Sequence, residues 1–336
     1  MIGYYVHHHG SGHLHRAAAL SAALKHEVVV ISSLDKPDNW VGDWVRVPRD
    51  DTGASVHDVT AHGRFHWLPQ RDRGLRARMS RLASWIYLNN PELLISDVSV
   101  EVTVLARLHG VPVLTVMLPG RRDDAPHQLA MEISATLVAA WPEDMPHLLP
   151  GVSESVRSRV HYIGGVSRFP VDERSSAPRR GDAHRVAVMM GAGGNAPSST
   201  TWARARSMTP EWDWTIMGYD DQQWHQDPYQ VLLNSDVAVI QAGQNAVAEV
   251  AAARLPAVII PADRPHDEQR TTARALSHDW PALVIEDPDV ADWSQVLDQA
   301  RALDIHPWQR WCDGRAGERF AAVVDDLLAA APRLVE

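Results

Sequence analysis

The chain has 336 residues, a formal net charge of −10 and a single cysteine. This length suits two domains of about 150 residues each, and the negative charge argues against a protein that binds duplex nucleic acid. One cysteine excludes a disulfide scaffold, and neither a signal-peptide pattern nor an apolar run long enough to span a membrane occurs, so we expect a cytoplasmic protein.

The first half of the chain alternates short apolar runs with helical patterns, as the strands and helices of a parallel sheet do. The first run begins at Ile2 and ends at Val6, and a segment rich in histidine and glycine follows it. Further predicted strands cover 28–31, 44–47, 93–96, 112–117, 135–140 and 161–163, and predicted helices cover 12–25 and 98–109. We expect an α/β domain over 1–166 and a linker over 167–184.

The same architecture recurs over 185–312. A strand leads into the glycine loop GAGGN, and a helix begins near Ser198. A strand–helix–strand unit with its turn at Gly243 covers 237–260. The tail 313–336 has an apolar stripe at helical spacing and should pack as a closing helix. The expected fold class is α/β, with two Rossmann-like parallel-sheet domains that face each other across a cleft.

The glycine loop of the second half has the composition of a phosphate-binding turn. Gly191, Gly193 and Gly194 follow a strand and precede a helix, so their backbone can approach a pyrophosphate closely. A tight strand-to-helix turn needs glycine in any case, and this pattern alone leaves both interpretations open.

A second turn of the same half has the features of an anion site beside a carboxylate. Gly243, Gln244 and Asn245 lie where a strand ends and a helix begins, and a helix N-terminus offers free N–H groups and a positive partial charge. Glu249 shares a helix face with Asn245 at i and i+4 spacing. A phosphate next to a ribose diol suits this arrangement, so we expect a nucleotide here.

The first loop departs from the dinucleotide fingerprint. Gly10 and Gly12 begin the pattern, but His15 stands where the third glycine is expected. Its bulk would crowd a pyrophosphate, which disfavours an NAD oxidoreductase.

His13 and Asp97 are the candidate catalytic residues. A histidine in the first turn of a helix stays neutral, because the helix dipole disfavours its cation, and can accept a proton near neutral pH. Asp97 ends a strand of the same predicted sheet, so it should face the same crevice and orient the ring. Glu101 is a weaker substitute for Asp97, and a capping or surface role for His13 stays open.

The histidines at the start of the chain do not predict a metal site. His7, His8 and His9 follow a strand, where successive side chains alternate in direction, and no cysteine accompanies them. We therefore expect neither a metal nor another cofactor.

The segment 64–87 combines arginines with an apolar face. A basic amphipathic helix can dock on an anionic membrane or on a polyanionic acceptor. A core helix with a solvated arginine face is the alternative.

These residues resemble a family of nucleotide-sugar glycosyltransferases with the GT-B fold, nearest the branch of the lipid II-forming N-acetylglucosaminyltransferase. The N-terminal motif is Gly10-Ser11-Gly12-His13, extended to Arg16. The more specific C-terminal signature consists of Gly243, Glu249, Leu255-Pro256 and Glu268-Gln269.

The resemblance implies a role for each matching residue. Glu249 would hold the ribose, Glu268 and Gln269 would hold the donor sugar, and the loops 191–194 and 243–246 would hold the diphosphate. Ala246 replaces the usual Thr or Ser, and Gln241 stands where retaining enzymes carry a glutamate, so inversion is favoured.

The predicted site therefore has three groups of residues. The catalytic pair is His13 and Asp97; the donor side is Gly191, Gly193, Gly194, Asn195, Gln241, Gly243, Gln244, Asn245, Ala246, Glu249, Asp267, Glu268 and Gln269; the acceptor side is Gly10, Ser11, Gly12, Arg16 and Glu101. The expected activity is inverting, metal-independent transfer of a sugar, UDP-linked by preference, to an unknown acceptor. An epimerase of the same fold and a non-catalytic nucleotide-sugar sensor are the alternatives.

Overall fold

The computed structural model describes residues 1–8, 12–51, 57–172, 184–191, 196–218 and 227–330. Within these residues the chain forms two separate β-sheets, and every strand pairs in parallel with its neighbours. Helices connect most consecutive strands, since a parallel pair needs a crossover connection.

The N-terminal sheet has seven strands. These are β1 (Ile2–Val6), β2 (Val28–Ser32), β3 (Asp43–Arg46), β4 (Leu93–Asp97), β5 (Val113–Met117), β6 (Thr136–Ala139) and β7 (Val160–Tyr162). Their order in the sheet is β3-β2-β1-β4-β5-β6-β7. The strand order therefore reverses between β1 and β4, and ligands bind outside the carboxyl ends of the strands at such a reversal.

The C-terminal sheet has five strands. These are β8 (His184–Met189), β9 (Trp212–Met217), β10 (Val237–Ile240), β11 (Ala257–Ile259) and β12 (Ala282–Val284). Their order is β12-β11-β10-β8-β9, so the reversal lies between β8 and β10. The two predicted phosphate loops are the ones that follow these two strands.

Twelve helices accompany the sheets in the described residues. They are α1 (Gly12–Ala23), α2 (Arg73–Asn89), α3 (Val100–Leu108), α4 (Ala125–Ile133), α5 (Glu154–Arg157), α6 (Ser199–Met208), α7 (Pro228–Leu233), α8 (Gln244–Ala252), α9 (Glu268–Leu276), α10 (Trp293–Arg301), α11 (Trp308–Trp311) and α12 (Ala316–Ala330). Two short 3-10 turns lie at Pro146–Leu148 and Pro265–Asp267.

Helices cover both faces of the N-terminal sheet, which explains why its strands are apolar throughout. On β1, Tyr4 and Val6 belong to one core cluster, while Tyr5 belongs to the cluster on the opposite face. The helix α12 packs into the first of these clusters through Phe320 and Val324, which lie one turn apart. The last described helix of the chain thus completes the core of the first sheet.

The predicted basic helix over 64–87 is wrong in its first part, because α2 begins only at Arg73. Asp72 sets this start: its side chain accepts a hydrogen bond from the Leu75 N–H, as an N-cap residue does. Arg78 is not a solvated arginine either. It is buried, and its guanidinium donates to the Tyr5 hydroxyl and to the Pro48 carbonyl.

Replacing Phe320 with alanine should destabilise the protein by about 3–5 kcal/mol, because the side chain is fully buried and its removal leaves a cavity between α12 and the first sheet. Urea unfolding measures this change. Asp326→Ala on the exposed side of α12 is the matched control and should change stability little. An equal, small effect of both substitutions would contradict this packing.

Candidate active site

The carboxyl ends of β1 and β4 lie side by side in the N-terminal sheet. Val6 and Asp97, the last residues of the two strands, pair directly in the strand register. The loop after β1 leads into α1, so His13 and Arg16 in the first turns of α1 come close to Asp97. This is the placement that the sequence predicts for the catalytic pair.

His13, Arg16 and Asp97 form one hydrogen-bonded group. The His13 Nδ1 atom lies 3.0 Å from Asp97 Oδ1, and Arg16 Nε donates to Asp97 Oδ2 over 3.2 Å. A second Arg16 nitrogen, Nη2, donates to Asp97 Oδ1 and lies 3.1 Å from His13 Nδ1. Because Asp97 can only accept when ionised, the neutral His13 ring donates from Nδ1 and leaves Nε2 as its proton acceptor.

Asp97 stays ionised although its side chain is completely buried. Burial by itself raises the pKa of this carboxyl, but the charge of Arg16 and the hydrogen bonds from His13 and Arg16 hold the pKa well below its usual range. Asp97 is followed by Val98, whose φ of 69° is costly for a β-branched residue. Such strain, of order 1–3 kcal/mol, is tolerated where surrounding contacts require it.

The N-termini of α1 and α8 meet across the cleft. Arg16 Nη1 donates to the Gln244 side-chain oxygen over 2.8 Å, and Asn245 Nδ2 donates to the Gly12 carbonyl over 3.0 Å. These contacts join the start of α1 to the start of α8. The acceptor-side residues Gly12 and Arg16 thus touch the donor-side residues directly.

The N-terminus of α8 presents unpaired hydrogen-bond donors. Gly243 is the N-cap residue and has no side chain to cap the first backbone N–H groups of the helix. Among the described residues, the buried Nε2 groups of Gln241 and Gln244 also have no acceptor. Buried donors are almost always paired in proteins, so these groups fit a site that an anionic ligand completes.

Glu249 forms an ion pair that the sequence does not reveal. Its Oε1 atom lies 2.8 Å from Nε of Arg168, a residue of the predicted linker. Burial raises the pKa of Glu249, and the charge of Arg168 offsets part of this rise. Burial is the larger cause of the lowered pKa of His15, and the charge of Arg168 lowers it further. Arg168 precedes a Phe-Pro pair in a polar stretch, and no local pattern marks it as a site residue.

The predicted sugar-binding residues differ in their surroundings. Gln269 is buried and its side-chain oxygen accepts a hydrogen bond from the Ala262 N–H over 2.9 Å. Glu268 lies 3.8 Å from the buried Arg122 guanidinium of the N-terminal half. Asp267 turns instead to Arg274 of its own helix, at 2.5 Å, so it does not join the other two.

Glu101 holds a loop in place. Its Oε1 atom accepts hydrogen bonds from the backbone N–H groups of His66 and Trp67, each over 3.0 Å. The carboxylate therefore positions the segment before α2 against the start of α3. Gly191 lies in the loop after β8 and Ala246 in the first turn of α8. Gly10, Ser11, Gly193, Gly194 and Asn195 are outside the described residues.

Two groups of histidine and aspartate side chains are close enough to share a metal ion, within the part of the chain that the structure describes. The first comprises His8, Asp50 and Asp51. Its carboxylates already pair with arginines, since Arg49 donates to Asp51 and Arg78 lies 3.2 Å from Asp50. The second group comprises His66, Asp124, His127 and His266, and it joins the two halves of the chain.

A known protein family resembles part of this chain in sequence, and known structures resemble it in fold. Residues 209–304 match the glycosyltransferase family 28 C-terminal domain. The calicheamicin glycosyltransferase CalG4 has a TM-score of 0.67 at 16% identity, covering 98% of this chain and 99% of that chain. MurG from Acinetobacter baumannii has a TM-score of 0.63 at 13% identity, covering 97% and 99%. The fold is GT-B. It confirms the predicted two-domain α/β class, and the chain resembles the nucleotide-sugar glycosyltransferases of the family 28 branch.

A further GT-B neighbour is described as a UDP-N-acetylglucosamine 2-epimerase from Listeria monocytogenes. Its TM-score is 0.61 at 10% identity, covering 100% of this chain and 98% of that chain. No curated protein matches the chain in sequence.

Replacing Arg168 with methionine should cost about 3 kcal/mol at pH 7, because it leaves the Glu249 carboxylate buried without its cation. Glu249→Gln should cost less, since Arg168 is 28% exposed and can be hydrated. Burial keeps the folded-state pKa of Glu249 above the unfolded one, so folding binds a proton and stability falls as pH rises between the two values.

The Arg168→Met deficit should therefore be smaller at pH 5 than at pH 7 in urea unfolding. The matched control is Arg270→Met, which breaks an exposed pair with Asp263 and should cost less than about 1 kcal/mol. A deficit that did not change with pH would show that Glu249 is not the group responsible.

Proposed function

We propose that this protein is an inverting glycosyltransferase that moves a sugar from a UDP-linked donor to an acceptor hydroxyl. The observation that carries the proposal is the meeting of the α1 and α8 N-termini, which brings His13 and Asp97 next to Gln244 and Asn245. A proton acceptor and an anion-binding turn on opposite sides of one cleft are the two parts that such a transfer needs.

His13 acts as the general base. Its Nδ1–H donates to Asp97, so Nε2 receives the proton of the acceptor hydroxyl as the oxygen attacks the anomeric carbon. Asp97 stabilises the imidazolium that results, while Arg16 keeps this buried carboxylate ionised throughout. The base and the diphosphate-binding turn lie on opposite sides of the cleft, which favours attack from the face opposite the leaving group and hence inversion.

The N-terminus of α8 stabilises the leaving diphosphate. The uncapped N–H groups after Gly243 and the side-chain amides of Gln241 and Gln244 are oriented before the reaction, so they stabilise charge without reorganising. Under this proposal the diphosphate needs no metal ion. Glu249 binds the ribose diol, and Arg168 Nε, 2.8 Å from Oε1, keeps its carboxylate in place.

Epimerisation of the nucleotide sugar is the second candidate, because a GT-B neighbour is described as a UDP-N-acetylglucosamine 2-epimerase. An epimerase acts on the donor alone, and its product is again a nucleotide sugar. A transferase releases UDP and needs an acceptor for full turnover.

Substituting His13 with alanine should lower the rate of UDP release from the preferred UDP-sugar by about 10²–10⁴-fold, with donor affinity unchanged, because only the base is lost. Glu249→Ala should instead weaken donor binding by roughly 10–100-fold, through loss of charged hydrogen bonds. His306→Ala at an exposed site is the control. Unchanged rates in the first variant and unchanged affinity in the second would exclude the proposed roles, and a new sugar formed from donor alone would favour the epimerase.

The exposed face of α2 is suited to an anionic surface. Arg73, Arg76 and Arg81 are exposed on it, and Tyr87 and Leu88 follow with 82% and 77% of their surface accessible. No helix among the described residues is long and apolar enough to cross a bilayer. We propose peripheral contact with an anionic membrane through this face, which would bring a lipid-linked acceptor to the cleft.

Changing these three arginines to glutamine should weaken the affinity for anionic phospholipid vesicles by roughly 100-fold at low salt, because each arginine contributes about 1 kcal/mol. Co-sedimentation with the vesicles measures this affinity. The matched control replaces the exposed Arg206, Arg301 and Arg310 of the other half with glutamine. Equal loss in both triple variants, or binding that salt does not weaken, would contradict a specific role for α2.

A further inference from the structure

We propose that His66, Asp124, His127 and His266 form a binding site for a divalent transition metal, with Zn²⁺ the preferred ion, that links the two halves of the protein. Each residue offers one ligand atom, and these atoms all lie within 4.8 Å of one another. The inference concerns metal binding alone and holds whether or not the protein transfers sugars.

The four side chains are already in mutual contact. Asp124 Oδ2 lies 2.7 Å from His66 Nε2, and Asp124 Oδ1 is hydrogen-bonded to His127 Nδ1. The ring centroid of His127 lies 4.3 Å from that of His66 and 4.7 Å from that of His266. Zinc bonds of roughly 2.0–2.1 Å bring tetrahedral ligand atoms to within roughly 3.4 Å of each other, so side-chain rotations over short distances would complete the site.

The ligand types select the metal. Three imidazoles and one carboxylate match the tetrahedral nitrogen and oxygen sets of zinc. Magnesium and calcium prefer oxygen ligands and more of them, so three nitrogen ligands disfavour both. The ligand side chains are half-buried. His66 is 31% exposed and Asp124 is 36% exposed, which leaves a path for the ion.

The backbone holds each ligand by a separate contact. Glu101 accepts from the His66 N–H, and Asp124 is the N-cap residue of α4, three residues before His127. His266 has a φ of 60°, and its carbonyl accepts a hydrogen bond from the Arg121 N–H over 2.7 Å. The loop after β5 thus fixes the one ligand that comes from the C-terminal half. An outer contact of this kind orients a metal ligand before the ion binds.

Arg122 is the group that competes with the metal. Its Nη1 lies 3.2 Å from His127 Nε2, so in the metal-free protein Nε2 accepts from the arginine while Nδ1–H donates to Asp124. A metal ion at His127 Nδ1 would leave the ring proton on Nε2. The Nε2–H would then face the N–H of Arg122, and two donors cannot pair. Arg122 must turn away, and the Glu268 carboxylate at 3.8 Å is available to accept it. Metal binding is thereby coupled to Glu268, a predicted sugar contact.

The test uses the full chain, freed of metal with a chelator, dialysed, and titrated with Zn²⁺ alone against a chromophoric competitor. We expect one tight equivalent per chain. His266→Asn should weaken binding by at least 10–100-fold, and asparagine tolerates the positive φ at this position. His278→Asn, at an exposed histidine outside the cluster, is the matched control and should bind like the unsubstituted protein.

Two further measurements on the unsubstituted protein test the site without depending on the folding of a variant. Co²⁺ should give the intense visible absorption of a tetrahedral complex, and Zn²⁺ should raise the melting temperature of the unsubstituted protein. Zinc held by the consecutive histidines 7–9 would persist in His266→Asn, and that result overturns the proposal. A weak octahedral cobalt spectrum, or no tight equivalent in the unsubstituted protein, overturns it as well.

Discussion

The buried pair of Asp97 and Arg16 is the interaction on which the cleft depends. A carboxylate with no exposed surface cannot stay ionised without a cation, and Arg16 supplies it from the first turns of α1. The same guanidinium donates to Gln244, so a single side chain satisfies the buried charge and connects the two halves. The guanidinium also lies 3.1 Å from His13 Nδ1, and the orientation of His13 follows from that of Asp97.

In the proposed mechanism this arrangement would couple the general base to donor binding, because Arg16 contacts His13, Asp97 and Gln244. Gln244 contributes its oxygen to Arg16 and leaves its amide nitrogen without an acceptor among the described residues. A ligand anion at the α8 N-terminus would pair that nitrogen and so stabilise the side chain that holds Arg16. Glu249 is a second buried carboxylate with a nearby cation, since Arg168 Nε lies 2.8 Å from its Oε1 atom, and in the proposed mechanism it would accept hydrogen bonds from the ribose.

A second set of contacts between the halves surrounds Glu268. Gly120 has a φ of 104°, and a β-carbon there would lie 2.4 Å from the His266 carbonyl, so only glycine allows the loops to approach this closely. Arg122, from the same loop, reaches both His127 and Glu268. One guanidinium therefore contacts both the histidine cluster and Glu268, a predicted sugar-binding residue.

The sequence by itself determined part of the secondary structure and the edge of each sheet at which a ligand is expected. The strand at 237–240 and the helix start at Gln244 are found where the apolar run and Gly243 predict them, because local periodicity and turn chemistry decide both. His13 and Asp97 could be paired in advance since both follow strand ends of one parallel sheet.

Only the tertiary structure decided which distant residues meet. Arg16 and Gln244 are 228 positions apart, Arg168 reaches Glu249 from a linker without a motif, and His66 meets His266 through the packing of the two halves. In the sequence only the neighbouring histidines 7–15 stand out as possible metal ligands, and the four residues of this cluster do not. Its members share no local pattern, because their proximity arises from packing between loops rather than from the repeat of a helix or a strand.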